Sequence, residues 1–349
     1  MILPQRAQAS FGPPAQTIGP AKLIAYSAMM LFQSGDLTQP ADLYGQPRPF
    51  QIQNGESTNS VIGRLWEDGL ISSPGAFRTY LSYAGLDKGL QAGEYNLSPS
   101  MTPIEIAHKL QDATPTQVKL SVLPGWRIEE IAATLPTSGL SISPQDFISA
   151  TRMIPDGYPI LKDLPASSSL EGFLFPGSYT LQRDDQAEDL IRVMLDKFEE
   201  EMKPDLLQGF KRQGLTLYQA VTLASMVQRE AMVEEEMPLI ASVFYNRMAS
   251  GMKLDSDPTV QFAVGFNDKK NTWWTNPLSL DDLAIKSPFN TYLNPGLPPT
   301  PIANPGLSAL SAVAFPARTP YYYFRAACDS SGKHVFSETY NEHLGKSCP

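Results

Sequence analysis

The strongest constraint on this fold lies after Gly251, where three segments combine proline and glycine with polar side chains. They read LDSDPTV (254–260), SPFNTY (287–292) and GLPPTPIANPG (296–306). Proline and glycine at this density fix a backbone that is neither helix nor strand. Rigid loops that carry Asn, Asp, Thr and Tyr on a helical scaffold are what a cleft for a polar ligand needs. A proline-rich wrap over the protein surface is the alternative interpretation.

The composition narrows the class of function. A chain of 349 residues is long enough for two or three domains with a sizeable core. Its net charge of −9 argues against a protein that tracks nucleic-acid phosphates, so we expect no nucleic-acid partner. The sequence contains no HExxH, P-loop or GxSxG motif, and its three histidines are scattered. We therefore expect neither a metal ion nor another cofactor.

Alternating and helical apolar patterns predict an α+β fold in four parts. Residues 1–46 are predicted to be a linker with one short helix, too short to span a bilayer. Residues 47–117 are predicted to form a βααβ module the size of a small carbohydrate-binding unit, although a purely structural subdomain fits equally well. Residues 118–182 are predicted to be a mixed α/β linking subdomain. Residues 183–349 are predicted to form a mainly helical domain that holds the Pro/Gly-rich loops.

One carboxylic acid, Glu230, lies on the apolar face of a predicted helix that runs from Thr216 to Ala231. Leu223, Met226 and Val227 precede it at helical spacing and stack on the same side. Apolar neighbours reduce the hydration of a carboxylate, so we expect the pKa of Glu230 to be raised. Such a group can donate a proton near neutral pH. A partly exposed Glu at the edge of a helix is the plainer alternative.

Several segments together give the chain a family resemblance. From Val118 to the end, and more loosely from Phe50, it resembles the YceG-like endolytic murein transglycosylases, the MltG family. The resemblance is carried by LASMVQRE (223–230), ASVFYNR (241–247), DPTV (257–260), EGFLFP (171–176), the two later Pro/Gly-rich loops, and FSET (336–339) with Glu342 and His343. It implies that the βααβ module is LysM-like and that the catalytic domain is lysozyme-like.

The resemblance also implies a reaction and a catalytic residue. Such an enzyme cleaves the β-1,4 bond between N-acetylmuramic acid and N-acetylglucosamine inside a peptidoglycan strand, leaves a 1,6-anhydro end and terminates the elongation of nascent strands. Glu230 is the implied catalytic acid. The family usually has a Glu-Lys-Glu pattern here, whereas this chain has Gln228-Arg229-Glu230, so Glu230 has no nearby competitor. The predicted substrate contacts are Asn246, Asp257, Asn290, Tyr292 and Glu171. Arg247 is expected to pair with a stem-peptide carboxylate or with the acidic run 234–236.

Two other functions stay open at this point. A lysozyme-type muramidase would use Asp257 as a second carboxylate, ~5–9.5 Å from Glu230, although capping the loop before Pro258 is the simpler role for Asp257. A protein that only binds peptidoglycan and scaffolds cell-wall synthesis is the second alternative. In that case Glu230 would be structural.

The resemblance implies a place in the cell as well. Its members act at the extracytoplasmic face of the plasma membrane on glycan strands, with cell-wall synthesis proteins as further candidate partners. They carry an N-terminal membrane helix, which we expect to be missing from this chain. An oxidising compartment favours a disulfide between Cys328 and Cys348, with free thiols as the alternative. His334 and His343 fall in a hairpin-like segment near the C-terminus, where a packing role and a catalytic role both stay open.

Overall fold

The chain divides into two units, Met1–Gln117 and Val118–Pro349. The structure, a computed structural model, describes residues 2–113, 117–162, 164–165 and 168–348. Both units combine α-helices with strands that pair into small two-stranded sheets. The predicted α+β class is therefore confirmed.

The first unit contains a strand pair that is covered by helices. Its elements are α1 (Ile2–Phe11), α2 (Pro20–Phe32), α3 (Ser34–Thr38), β1 (Arg48–Ile52), α4 (Thr58–Glu67), α5 (Pro74–Ala84), β2 (Gly93–Leu97) and α6 (Pro103–Lys109). β1 and β2 run antiparallel, with Phe50 opposite Tyr95. These two side chains are buried while their neighbours in each strand are exposed, which is the period-two pattern of a sheet with one covered face. The βααβ order predicted for this part of the chain is present.

Residues 2–46 differ from the predicted linker, because they hold three helices. Phe11, Met30 and Leu37 lie in the same hydrophobic core as the strands. The backbone N–H of Ala15 also donates to the carbonyl of Tyr83, at 2.8 Å. Because the segment is mostly polar, the few apolar residues that attach it to the unit give no clear signal in the sequence. No helix in the described part of the chain is both long and apolar enough to cross a membrane.

The second unit begins with mixed structure and continues as a helical assembly. Its elements are β3 (Gln117–Val122), α7 (Ile128–Ser138), α8 (Pro144–Ala150), β4 (Gly177–Gln182), α9 (Ala187–Glu201), α10 (Pro204–Arg212), α11 (Leu217–Glu230), α12 (Met237–Ala249), α13 (Asp257–Val264), α14 (Leu280–Leu283), α15 (Leu307–Ala314), β5 (Tyr323–Ala326), β6 (His334–Ser337) and α16 (Tyr340–Gly345). β3 pairs with β4, and β5 pairs with β6 in an antiparallel hairpin. Single 3-10 turns occur at Pro159–Leu161 and Glu234–Glu236.

One hydrophobic core runs through the second unit. It includes residues from Leu120 in β3 to Ala314 in α15, so the predicted parts 118–182 and 183–349 share it. Helix α11 lies at its centre and packs against α12, α13 and α15. The helix is continuously buried from Ala220 to Val227. Its C-terminal end therefore brings the residues after Val227 out of the core and towards the following loops.

Candidate active site

Glu230 is the last residue of α11. The helix begins with a capping box, in which the side chains of Thr216 and Gln219 bond each other's backbone N–H groups. Ala231 then adopts an extended conformation and ends the helix. Glu230 is only partly buried, whereas Met226 and Val227 are fully buried. The carboxyl group thus sits at the boundary between the core and an open cleft.

Ser256 holds the Glu230 carboxyl group in place. Its hydroxyl donates to Glu230 Oε1 at 2.5 Å. Ser256 is 1% exposed and its backbone N–H donates to Thr291 Oγ1 at 3.0 Å. Its carbonyl accepts from Thr259 Oγ1 at 2.7 Å. Sequence reasoning missed Ser256, because its position at the N-cap of α13 predicts a local capping role, yet the hydroxyl makes no cap there.

The surroundings of Glu230 raise its pKa to about 7. Burial is the largest cause, because it penalises the charged form. The hydrogen bond from Ser256 lowers the pKa, the negative charge of Asp257 raises it, and the positive charges of Arg247 and Arg229 lower it. The carboxyl group can therefore exist in both protonation states near neutral pH. That is the property that a general acid–base needs.

The cleft beside Glu230 has a volume of about 240 Å³. It is lined by Glu230, Arg247, Leu254, Asp255, Asp257, Tyr292, Phe324, Arg325, Ala326 and His334. This volume is below the ~300–1,000 Å³ of typical small-ligand pockets, so the cleft fits part of a larger ligand. Most of its wall is polar, and the β5–β6 hairpin contributes one side of it.

Two of the predicted contact residues, Asp257 and Tyr292, meet in this cleft. The hydroxyl of Tyr292 donates to Asp257 Oδ1 at 2.7 Å. Burial, followed by the carboxylate of Asp257, raises the pKa of Tyr292 above its usual range. Tyr292 therefore stays protonated and remains a hydrogen-bond donor. Asp257 is the first residue of α13, so its predicted place in a loop is wrong, and among the described hydrogen bonds its side chain accepts from this hydroxyl and makes no capping bond.

Arg247 supports the opposite wall of the cleft. Its guanidinium pairs with Asp255 at 3.0 Å and also donates to the carbonyls of Leu254 and Tyr322, at 2.9 and 2.7 Å. The expected pairing with the acidic run 234–236 is wrong: the guanidinium pairs with Asp255, while Glu234 bonds Ser308 and Glu236 bonds His334. Asp255 has a φ of 47°, a left-handed conformation that Asp tolerates better than most residues. Arg247 thus fixes a turn that no regular element supports.

Asn246 and Asn290 do not line this cleft. The amide of Asn246 donates to the carbonyls of Thr319 and Tyr321, at 2.9 and 2.8 Å. Asn290 is fully buried, and its Oδ1 accepts from the backbone N–H of Tyr292 at 3.0 Å. Both amides satisfy backbone groups in loops that lack strand partners. Asn290 nevertheless bears on the cleft, because it orients the loop that presents Tyr292.

Glu171 is also outside the cleft, in a buried cluster with Asn304. Its two carboxyl oxygens accept from the backbone N–H of Ile128 at 3.1 Å and from Asn304 Nδ2 at 3.0 Å. The Oδ1 atom of Asn304 accepts from the backbone N–H groups of Gly172 and Leu174, at 2.9 and 3.0 Å. Burial raises the pKa of Glu171 to about 8, against the effect of the Ile128 bond. The cluster joins three loops of the second unit.

The residues before Glu230 have structural contacts of their own. Gln228 Oε1 accepts from the backbone N–H of Gly306 at 3.0 Å. The guanidinium of Arg229 stacks over the Trp274 ring, 3.7 Å from its centre. Neither residue lines the cleft. The family resemblance implies an acid at position 228. In this chain the side chain of Gln228 instead bonds the loop at Gly306 and holds it against α11.

Two further observations concern the C-terminal segment and metal ions. Cys328 and Cys348 form a disulfide with a Cα–Cα distance of 5.4 Å, which connects the β5–β6 hairpin to the end of the chain. His334 lines the cleft, whereas His343 stacks against Tyr323 with a ring-centre distance of 5.4 Å. Within the described ranges, no three His, Cys, Asp or Glu residues are grouped so that they could hold a metal ion.

Comparison with known proteins places this site in a family context. The sequence model of the YceG-like family matches residues 50–347. An endolytic murein transglycosylase of Bacillus subtilis is 33% identical over 309 residues, which cover 84% of this chain and 81% of the relative. One of Streptococcus pneumoniae strain D39 is 28% identical over 314 residues, and the match spans 84% of this chain but 56% of that relative. The crystal structure of a YceG-like protein from Listeria monocytogenes aligns with a TM-score of 0.58 and 30% identity, covering 86% of this chain and 99% of that one.

Proposed function

Since this chain belongs to the YceG-like family, we propose that it is an endolytic murein transglycosylase with Glu230 as its catalytic acid. One observation carries the assignment to this residue. Among the residues that the structure describes, Glu230 alone combines a pKa of about 7, a position on the cleft wall and a hydroxyl partner at 2.5 Å. Glu171, whose pKa is also raised, is sealed by Asn304 and 4% exposed, so a glycan has no access to it.

The proposed reaction needs only one carboxyl group. Protonated Glu230 donates its proton to the glycosidic oxygen as the bond from that oxygen to C1 of N-acetylmuramic acid breaks. The C6 hydroxyl of the same muramic acid then attacks C1, and its proton passes to the Glu230 carboxylate. The product is a 1,6-anhydro ring, no water is consumed and Glu230 returns to its acid form. General acid–base catalysis of this kind contributes about 10²–10⁴-fold in rate.

The other cleft residues have complementary tasks in this proposal. Ser256 donates to the carboxylate that remains after the first proton transfer and keeps it directed at the bond. The negative charge of Asp257 faces the positive charge that develops at C1 in an oxocarbenium-like transition state. Tyr292 orients Asp257, and its hydroxyl oxygen can still accept a hydrogen bond from a sugar hydroxyl. Asp257 and Tyr292 are therefore our proposed substrate contacts.

A lysozyme-type muramidase is the second candidate, and the position of Asp257 in the same cleft favours it. In that reaction the second carboxylate supports attack on C1 and water completes the hydrolysis. The muramic acid would then keep a free reducing end. The product alone separates the two candidates, since both need Glu230 as the acid.

The remaining parts of the chain can be assigned separate functions, one in binding the cell wall and one in cleaving it. We propose that residues 47–117 are a LysM-like glycan-binding module and that residues 183–349, attached through 118–182, form a lysozyme-like catalytic domain. The proposed substrate is the peptidoglycan strand, at the outer face of the plasma membrane, with cell-wall synthesis proteins as partners. Cleavage inside a growing strand would end its elongation.

The test is mass spectrometry of the muropeptides that the protein releases from purified cell walls. We expect the wild type to release 1,6-anhydro ends, and Glu230→Gln, which keeps the shape but not the acid, to be slower by about 10²-fold or more. Glu235→Gln is the matched control, because Glu235 is exposed and outside the cleft. Reducing ends in place of anhydro ends would establish the muramidase. Equal cleavage by Glu230→Gln and wild type would show that Glu230 takes no part in the reaction.

A further inference from the structure

A histidine–carboxylate pair lies on the hairpin side of the cleft. His334 Nδ1 is 2.9 Å from Glu236 Oε2, and the backbone N–H of His334 donates to both Glu236 oxygens at 3.0 Å. The two side chains are 9% and 11% exposed. Because an ionised carboxylate only accepts hydrogen bonds, the ring proton resides on Nδ1. In the neutral ring, Nε2 is then an acceptor.

The imidazole ring has a fixed orientation. Phe324 meets it edge-on, with ring centres 5.4 Å apart at an interplanar angle of 90°, and Phe336 contacts it at 6.4 Å. Across the described ranges Nε2 has no hydrogen-bond partner, and it is not among the polar atoms sealed from solvent. Since His334 lines the cleft beside Glu230, the free nitrogen is accessible from the cleft.

The other polar side chains of the cleft each have at least one partner in the protein. Arg247 pairs with Asp255, and Asp257 accepts from Tyr292. Arg325 donates to the Ser347 hydroxyl at 2.5 Å. An acceptor with fixed direction and no partner in the protein is what recognition of a hydroxyl group requires. A sugar ring presents such hydroxyls.

A purely structural role does not account for the ring. The backbone N–H of residue 334 alone would tie the β5–β6 hairpin to Glu236, because it already bonds both carboxylate oxygens. The additional Nδ1 bond fixes the rotation of the imidazole. This rotation has a consequence only if the opposite side of the ring, at Nε2, has a function.

We propose that His334, oriented by Glu236, is a substrate-binding residue that accepts a hydrogen bond from a pyranose hydroxyl next to the bond that is cleaved. The proposal rests on the transglycosylase function and names one further contact of the same site. Glu236 does not touch the glycan and acts as a positioning residue through His334.

The experiment separates binding from chemistry by using the inactive Glu230→Gln protein. We compare its affinity for purified, uncleaved glycan strands with that of the same protein carrying His334→Phe. Phe keeps the ring volume between Phe324 and Phe336 and the backbone bond to Glu236, but it removes the acceptor. We expect the affinity to fall about three- to tenfold, the range for loss of one hydrogen bond. His334→Gln, which can still accept, is expected to restore part of the loss.

In the active protein, His334→Phe is expected to raise KM more than it lowers kcat, and Glu236→Gln to have a smaller effect in the same direction. His343→Phe is the matched control, because that ring stacks on Tyr323 away from the cleft. Unchanged affinity and kcat/KM in His334→Phe would overturn the proposal while leaving the transglycosylase function intact. A lower melting temperature with unchanged affinity would assign His334 a packing role only. A wild type that releases no anhydro ends would instead refute the function itself, and the binding comparison would still decide whether His334 contacts glycan.

Discussion

The basic limb of the pH–activity profile is a direct test of how the protein sets the protonation of Glu230. With a pKa of about 7, the carboxyl group is mostly protonated at pH 6 and only about one tenth protonated at pH 8. Activity that needs the acid form is therefore expected to be half-maximal near pH 7 and to fall about tenfold per pH unit above it. Two substitutions are expected to move this limb in opposite directions.

Ser256→Ala removes the hydroxyl that donates to Glu230 Oε1 at 2.5 Å. A hydrogen bond to a charged group contributes about 1.5–3 kcal/mol, and 1.36 kcal/mol corresponds to one pH unit. Since the bond stabilises the carboxylate, its loss is expected to move the basic limb up by about one to two pH units. The protonated fraction at pH 8 would then rise from about one tenth to between about one half and nine tenths. The maximum rate is expected to fall, because the carboxyl group loses its fixed orientation.

Asp257→Asn is the companion variant. The negative charge of Asp257 in the wild type raises the pKa of Glu230, so removal of that charge is expected to move the basic limb to lower pH. The Asn carbonyl can still accept from Tyr292, which preserves the geometry of the pair. Asp281→Asn is the matched control, because Asp281 is exposed on α14 and outside the cleft.

The assay measures kcat/KM for release of anhydro-muropeptides from soluble glycan strands between pH 4.5 and 9 at constant ionic strength. Under these conditions the profile reports the free enzyme. A basic limb that stays in place in both variants, or that moves down in Ser256→Ala, would refute the claim that Glu230 is the titrating acid. Opposite shifts, with an unchanged profile in the Asp281 control, are the expected result.

Two further predictions concern stability. Glu171→Ala leaves the Ile128 N–H and one of the two amide N–H groups of Asn304 without a partner, while the other still donates to the carbonyl of Trp126. We expect the free energy of unfolding, measured by denaturant titration, to fall by about 2–4 kcal/mol, while cleavage at 25 °C stays within about twofold. Lost activity at unchanged stability would instead make Glu171 a substrate contact. The double variant Cys328→Ser/Cys348→Ser, or reduction of the wild type, is expected to cost about 3 kcal/mol for a closed loop with a sequence separation of 20. An unchanged melting temperature in both forms would mean that the disulfide stabilises nothing.

The helix and its acid could be predicted because their signals are local. The apolar side of α11 repeats at helical spacing, and the capping box at Thr216 marks its start within four residues. The side of the helix that carries Glu230 follows from this periodicity alone. The hydroxyl that holds Glu230, by contrast, comes from Ser256, 26 residues away in a loop with no periodicity. Local patterns carry no information about such a partner.

The N-terminal segment shows the same limit. A polar composition with one apolar stretch predicts a linker, yet Phe11 and Leu37 are buried beside the β1–β2 core. Only one or two buried apolar residues per helix attach the described part of this segment (Ala7 and Phe11, Met30, and Leu37), and so few contacts give no periodic signal. Tertiary contacts therefore decide its structure.

The Pro/Gly-rich loops explain why most of the predicted substrate contacts lie elsewhere. A loop without strand partners must satisfy its backbone N–H and C=O groups with side chains, and Asn246, Asn290 and Asn304 are used in this way. The hydrogen bonds of these amide groups hold the loops rigid. Asp257 and Tyr292 bond each other and leave the backbone alone, so they keep free lone pairs and a surface on the cleft. Asp257 lies at the start of α13, and Tyr292 lies in a loop whose backbone is already bonded by Asn290, so neither side chain is needed to satisfy backbone groups and both can face the cleft.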